Sequence, residues 1–236
     1  MFVNNNNCVY AIGMSFAADD EAWRPTRAEQ NAASGRRLLE ALIELVAEKG
    51  YEATSAAEIG LRAGFSRAMV HARYGTKDAL LDDLMHTEYW DRLAPDIDQS
   101  GTGLDRVLGY LDRLDNLASE DERFLRAMFI LSFEAVRGSP ALNPRISGWL
   151  RSLESGVAEA LDAGQTDGSV RSDIDIRLAA RDVMNTGFGI AYAWIVLNVD
   201  LHAELARWRD RVRHDCANDL PTRSTYDTTS SVGNVR

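Results

Sequence analysis

Residues 54–77 read TSAAEIGLRAGFSRAMVHARYGTK and contain the most specific local pattern of the chain. Ser55 followed three residues later by Glu58 is the pattern of a capping box, in which each side chain accepts from the other residue's backbone amide. The pattern predicts a short helix that ends at Gly64. A second short helix follows, so the stretch predicts two helices joined by a tight turn, the helix-turn-helix arrangement.

The second helix of this pair is predicted over residues 67–74, with Ser66 as its cap. Gly75 then interrupts the helical pattern, and Thr76 is placed to cap a further helix that carries Leu80 and Leu84. Three short helices within 40 residues bury little apolar surface by themselves. Their significance therefore lies in how they position side chains.

Upstream of this stretch, Leu38, Leu42 and Leu45 recur at the spacing of an amphipathic helix, which stops at Gly50. Downstream, apolar residues again recur at helical spacing and almost never alternate, so we expect an all-α fold with a larger second domain. The predicted long helices cover residues 103–118, 121–137, 143–164, 174–198 and 201–215.

Charge divides the chain into two regions. The protein has 236 residues and a formal net charge of −10, which as a whole disfavours binding to a polyanion. Residues 24–77, however, hold nine basic and six acidic side chains, whereas the chain after Lys77 holds 17 basic and 27 acidic ones. This separation indicates two regions with different partners.

Several classes of protein are disfavoured by what the sequence lacks. No stretch approaches the roughly 20 apolar residues of a membrane-spanning helix, so we expect no membrane partner. Cys8 and Cys216 are too few and too far apart for a disulfide framework, which suits a reducing cytoplasm. No catalytic triad, HExxH sequence, phosphate loop or dinucleotide fingerprint occurs, so we expect no enzyme, no cofactor and no metal site.

The ordered set of motifs in residues 37–84 resembles the N-terminal domain of the tetracycline-repressor (TetR) family. A looser similarity to the penultimate helix of that family runs from Gly168 through Trp194. The motifs that carry the resemblance are Arg37-Leu38-Leu39 with Ala41, Glu48-Lys49-Gly50-Tyr51, Thr54-Ser55, Glu58-Ile59, Ala63-Gly64-Phe65-Ser66 and Tyr74-Gly75-Thr76-Lys77-Asp78-Ala79-Leu80.

The resemblance implies double-stranded operator DNA as a partner. Hydroxyls near helix N-termini donate to phosphates, and an arginine at the front of the third helix can bind guanine bidentately. Family members usually carry Tyr where this chain has His71, and an aromatic residue or His where it has Ala72. The expected DNA-binding residues are Thr54, Ser55, Ser66, Arg67, Ala68, Met69, His71, Arg73 and Lys77, the last with its ammonium free to approach a phosphate.

In the family, a small molecule bound in the second domain shifts the fourth helix and releases the DNA. The acidic surroundings favour a neutral or cationic apolar effector over a polyanionic one. Seven aromatic and methionine residues of the long helices are candidates to line such a cavity or, alternatively, to form a plain core. They are Met128, Phe129, Phe133, Trp149, Met184, Phe188 and Tyr192.

The helix predicted over residues 174–198 is apolar on two faces, which indicates that both faces are covered. One face is expected to meet the core of the domain and the other a second copy of the chain, although a single-chain core that uses both faces remains the alternative. The expected homodimer interface consists of Val183, Gly187, Ile190, Trp194, Leu205 and Trp208.

The sequence therefore predicts a homodimeric regulator, with a ligand-independent regulator or an architectural DNA-binding protein as the alternative. Its expected divisions are a flexible tail (1–30), a helix-turn-helix domain (31–80), a helical effector and dimerisation domain (81–216) and a second flexible tail (217–236). Met14 is an alternative start of translation. Operator sequence, effector and the sign of regulation are left open.

Overall fold

The computed structural model describes residues 26–93 and 101–218. Within these ranges the chain forms ten α-helices and no strand, which confirms the all-α prediction. Most of the tail predicted at each end lies outside the described residues. Residues 27–30, which we assigned to the first tail, are helical, because Thr26 and Glu29 form a capping box that starts the first helix there.

The first five helices form the N-terminal part, and α4 runs through a π-helical turn, Met85–Tyr89, into α5. Their bounds are α1 Arg27–Lys49, α2 Ala56–Arg62, α3 Met69–Tyr74, α4 Lys77–Leu84 and α5 Trp90–Leu93. The predicted capping box of Ser55 and Glu58, the cap at Thr76 and the stop at Gly50 are all confirmed.

The longer helices form the second part, and their bounds agree with the sequence prediction to within three residues. They are α6 Gly103–Glu120, α7 Glu122–Glu134, α8 Asn143–Asp167, α9 Ile176–Leu197 and α10 Leu201–Cys216. A short 3₁₀ turn, Ala135–Arg137, follows α7. The tightest packing joins α6 to α8 and α10, and α9 lies against α8, α7 and α10.

One apolar core runs through both parts of the molecule. Leu38, Leu42 and Val46 of α1 are fully buried, and α1 packs on α2 on one side and on α7 on the other. Each such side chain contributes about 1.5–3 kcal/mol through its removal from water. The stripe that predicted α1 from the sequence thus fixes the second domain against the first.

The crossing of α6 over α8 depends on a close approach at Gly103. A Cβ on Gly103 would overlap the backbone of Ala160 and Gly164, and the Gly103 amide donates to Asp167 Oδ2 at 2.7 Å. Gly109, further along the same helix, is exposed, and a Cβ added there would have no neighbouring atom within 4 Å. A side chain is therefore excluded at the first glycine and accommodated at the second.

We expect Gly103→Ala to lower the free energy of unfolding by about 1–3 kcal/mol, because the added methyl forces the two helices apart. Gly109→Ala is the matched control and should raise it by up to about 1 kcal/mol, because alanine favours an exposed helix interior over glycine. Urea unfolding followed by circular dichroism measures both. Equal effects of the two substitutions would show that the crossing is not close.

Candidate nucleic-acid interface

The turn between α2 and α3 is built from small residues. A Cβ on Gly60 would collide with the carbonyl oxygen of Ser66, and Gly64 has φ +77°, a left-handed conformation that favours glycine. Ser55 Oγ accepts from the Glu58 amide, and Glu58 accepts from the Ser55 amide at 2.9 Å. The bond from Lys49, followed by those that the Ser55 hydroxyl and amide donate to the carboxylate, lowers the pKa of Glu58 to about 2.

The second helix of the helix-turn-helix, α3, is shorter than predicted. It begins at Met69, and Ser66 does not cap it with its side chain, so the predicted cap is wrong. Ser66, Arg67 and Ala68 lie instead in the turn, where the Met69 amide donates to the Ser66 carbonyl. All three residues are exposed, whereas Met69 packs partly against the core and has less surface to offer a base.

Arg73 has structural partners on α1 and α3. Its guanidinium donates to Ser34 Oγ at 3.1 Å and lies 5.4 Å from the centre of the Tyr74 ring. It also fills the space beside Gly35, where a Cβ would come within 2.8 Å of Nη2. The side chain therefore ties α3 to α1, and a DNA contact by Arg73 stays a prediction.

Thr54 and Lys77 have structural partners that the sequence did not reveal. The Thr54 hydroxyl is buried and donates to the Gly50 carbonyl at 2.7 Å, so it cannot also meet a phosphate in this conformation. The expectation of a free ammonium on Lys77 is wrong, because Nζ donates to the carbonyls of Tyr51 and Thr54 at 2.9 Å each. Burial lowers the pKa of Lys77 below its usual value.

His71 has a fixed ring orientation. Its Nδ1 lies 2.7 Å from the Gly75 carbonyl oxygen, which can only accept, so Nδ1 carries a proton. In the neutral ring Nε2 is then an acceptor and cannot donate to a phosphate oxygen. A phosphate contact by His71 thus requires the protonated ring.

Ion pairs neutralise some of the basic side chains of the first domain and leave others unpaired with any described carboxylate. Arg62 binds both oxygens of Glu48, at 2.7 and 2.9 Å, and also reaches Glu44. Lys49 pairs with Glu58 at 2.6 Å. These pairs neutralise the face formed by α2 and the C-terminal half of α1.

Other arginines of the first domain have no ion pair with any described carboxylate. Arg67 is exposed in the turn, and Arg36 is exposed on α1. Arg37 lies over the Phe65 ring at 4.6 Å and comes close to Gly64, so it crosses the helix-turn-helix turn. Sequence reasoning missed Arg36 and Arg37 as candidates, although both belong to the surplus of basic residues in this region.

The candidate ligand residues form an aromatic cluster between α7, α8 and α9. Phe188 makes edge contacts with Phe129, Phe133 and Trp149 at centroid distances of 5.7, 6.3 and 6.2 Å. Phe133 also contacts Tyr192 at 5.8 Å, and Tyr192 is 56% exposed. The cluster therefore runs from the core to the surface.

The two methionines predicted beside these rings differ in burial. Met128 is fully buried in the core, whereas Met184 packs partly against it. Met184 is the better placed of the two to meet a bound molecule.

The residues predicted for the dimer interface are mostly covered by their own chain, and their contact with a partner stays a prediction. Val183, Trp194, Leu205 and Trp208 are each at most 5% exposed, because α9 packs on α10 and the rest of the same chain. A Cβ on Gly187 would lie 2.7 Å from the Trp208 ring, so this glycine admits the chain's own tryptophan. Ile190 is half-buried against the same core.

The face of α9 that stays uncovered is a different one. Its residues follow each other at alternating spacings of four and three, the period of a helix-packing seam. Leu178 and Val196 are 57% and 55% exposed. The exposed α9 stripe consists of Leu178, Asp182, Asn185, Gly189, Tyr192 and Val196.

Beside this stripe, a groove of about 520 Å³ runs between α9 and α10. Trp208 lines the groove, and its buried indole Nε1 has no hydrogen-bond partner among the described residues. A buried donor without an acceptor is unfavourable.

Two further features concern the described residues only. No group of three or more His, Cys, Asp or Glu side chains is arranged to hold a metal ion in residues 26–93 and 101–218. In the same ranges, none of the helices has the length and apolar character needed to cross a bilayer.

Comparisons with known proteins agree with this architecture. Residues 38–84 match the family described as bacterial regulatory proteins, tetR family. The HTH-type transcriptional repressor KstR2 of Rhodococcus jostii is 26% identical over 189 residues, which cover 72% of this chain and 84% of the relative.

Solved structures show the same fold. TylP, a TetR regulator from Streptomyces fradiae, superposes with a TM-score of 0.65 at 20% identity, covering 82% of this chain and 90% of TylP. SmeT, solved in complex with triclosan, gives a TM-score of 0.69 at 22% identity, covering 79% of this chain and 93% of SmeT. The chain thus carries a helix-turn-helix region that matches the tetR family, and its fold is that of solved TetR regulators, which supports a DNA-binding regulator.

Proposed function

We propose that the protein is a homodimeric repressor that binds a palindromic operator and is released from it by a small apolar effector. The similarity to the repressor KstR2 supports the direction of regulation. The observation that carries the DNA-binding part is the sorting of charge in the first domain. Arg37 and Arg67 at the turn have no ion pair with a described carboxylate, while Lys49 and Arg62 are neutralised by Glu58 and Glu48.

Arg67 is the residue best placed to read a base. It is exposed in the turn that leads into α3, and no carboxylate of the described ranges pairs with its guanidinium. Arg37 approaches the same turn from α1, and Arg36 is exposed on the same helix. Both suit phosphate oxygens, contacts to which fix the orientation of a protein on DNA. Ser55 and Ser66 are exposed and supply hydroxyl donors.

The dimer is better assigned to the exposed α9 stripe than to the residues chosen from sequence. A two-fold axis beside this stripe would place the α9 helices of the two chains in contact, with Gly189 allowing close approach. The groove between α9 and α10 would accept side chains of the partner, whose acceptors would satisfy Trp208 Nε1. The helix-turn-helix domains of the two chains would then enter successive major grooves about 34 Å apart.

The effector site is assigned to the aromatic cluster of Phe129, Phe133, Trp149, Phe188 and Tyr192. SmeT was solved with triclosan, a small apolar molecule, and the fold of the two proteins is shared. Because the rings already contact one another, an effector must separate them when it binds. The same close contact favours the second candidate function, a regulator that needs no ligand.

Both candidates are tested in one sequence of experiments. Genomic fragments that the purified protein retains are sequenced to find the operator, and failure to prefer any fragment over random competitor would refute the DNA-binding proposal. Triclosan is then titrated as a probe into the complex with operator. Loss of operator binding supports the effector-controlled repressor. If triclosan and a panel of other apolar compounds, each at saturating concentration, leave operator binding unchanged, the ligand-independent regulator is supported.

We expect Arg67→Ala to weaken operator binding by about 1–3 kcal/mol, or about 5- to 150-fold, and to relax the choice of base at one position. Arg37→Ala should weaken binding to all sequences and reduce the slope of log K against log salt by about 1. Fluorescence anisotropy at several salt concentrations measures both. Arg151→Ala, on the exposed face of α8, is the matched control and should leave both quantities unchanged.

We expect Val196→Asp to yield folded monomers that bind operator weakly, because it places a charge in the proposed α9 contact. Val136 is 85% exposed and lies outside the stripe, so Val136→Asp is the same substitution without this effect. Sedimentation velocity distinguishes the two. A Val196→Asp protein that sediments as a dimer, with unaltered helix content, would show that the interface lies elsewhere.

A further inference from the structure

The end of α7 touches both parts of the molecule. Phe133 packs in the aromatic cluster against Phe188 and Tyr192 of α9. The next residue, Glu134, turns away from the cluster by about 100° on the helix and accepts a hydrogen bond from the Tyr51 amide at 2.7 Å. Two adjacent residues of one helix thus contact the proposed effector site and the first domain.

The Glu134 carboxylate is in close contact with the turn after α1. Gly50 has φ +86° and lies so close to the Glu134 carboxylate that a Cβ there would overlap it. A carboxylate that accepts from a backbone amide also makes a charge-assisted bond, which is stronger than a neutral one. A shift of the end of α7 is therefore passed to the turn between α1 and α2.

Tyr51 connects that turn to α4. Its hydroxyl donates to Asp78 Oδ1 at 2.5 Å, and its carbonyl accepts from Lys77 Nζ, which also lies 3.8 Å from the centre of its ring. Burial, and secondarily the bond to Asp78, raises the pKa of Tyr51 above its usual value. Lys77 and Asp78 begin α4, immediately after the end of α3.

A second route also joins the domains. Arg145 of α8 binds both oxygens of Asp82 on α4, at 2.5 and 2.7 Å, and donates to the Ala141 carbonyl as well. This contact starts from Arg145, which lies one turn from Trp149 on α8, whereas Glu134 directly follows the cluster residue Phe133. The two routes can be separated by substitution.

We propose that Glu134 is the positioning residue that couples the aromatic cluster to the helix-turn-helix, through its bond to the Tyr51 amide. The inference rests on the proposed function and names how that function is regulated. Displacement of Phe133 moves Glu134, Glu134 moves the Gly50–Tyr51 turn, and Tyr51 moves the start of α4 and with it α3. Glu134 thus acts through the Tyr51 amide.

The test is a double-mutant cycle, which measures whether two sites act together. Phe188→Ala opens the cluster without touching the first domain, and Glu134→Ala removes the acceptor. In the Glu134 background Phe188→Ala should change operator affinity at least about fivefold, the lower end of common coupling. In the Glu134→Ala background it should change affinity less than twofold, and Glu134→Gln, which keeps an acceptor, should restore part of the effect.

Amide hydrogen exchange of the DNA-free protein gives a readout that does not depend on operator binding. Phe188→Ala should speed exchange in residues 50–58 and 66–77 when Glu134 is present and not when it is alanine. If no variant binds DNA, the proposed function fails, while this exchange pattern still tests the connection. Phe188→Leu replaces Phe188→Ala if the latter lowers the helix content.

Glu159→Ala, which removes an exposed carboxylate from α8, is the matched control and should leave the effect of Phe188→Ala intact. Equal effects of Phe188→Ala in the Glu134 and Glu134→Ala backgrounds would overturn the proposal, as would no effect in either. Coupling that survives Glu134→Ala and disappears in Arg145→Ala would assign the connection to Asp82 and also overturn it.

Discussion

The packing of α1 between α2 and α7 holds the helix-turn-helix against the second part of the molecule. Its apolar stripe is shared by both domains, and Glu44 on its surface binds Arg62 of α2 and Arg123 of α7. Exposed ion pairs of this kind add little to stability. They do, however, occupy the carboxylates that would otherwise repel a polyanion, so the same contacts that hold the domains together also shape the electrostatic face of the protein.

The helices of this protein could be predicted from sequence because periodicity and capping act locally. Ser55 and Glu58 need only each other to start α2, and the apolar stripe of α1 needs only a helical repeat. The cap at Ser66 failed because the turn after Gly64 uses the Ser66 carbonyl to accept from Met69 and delays the helix by two residues.

The site was predicted less well, because residue type does not reveal which partner a side chain takes. Thr54 and Lys77 bear groups that suit phosphate, yet both bind backbone carbonyls near the end of α1. For α9, the pattern indicated two apolar faces, and residues of both pack against the chain's own core, as in the single-chain alternative. The exposed stripe lies outside these two faces. Trp194 belongs to the covered face, and the smaller residues of the exposed stripe gave a weaker signal.

The π-helical turn between α4 and α5 gives the boundary of the two domains a particular geometric property. A π turn holds one residue more than an α turn, so the helix beyond it is out of phase with the helix before it. The π turn therefore rotates the faces that α5 presents relative to those of α4 and keeps the junction helical.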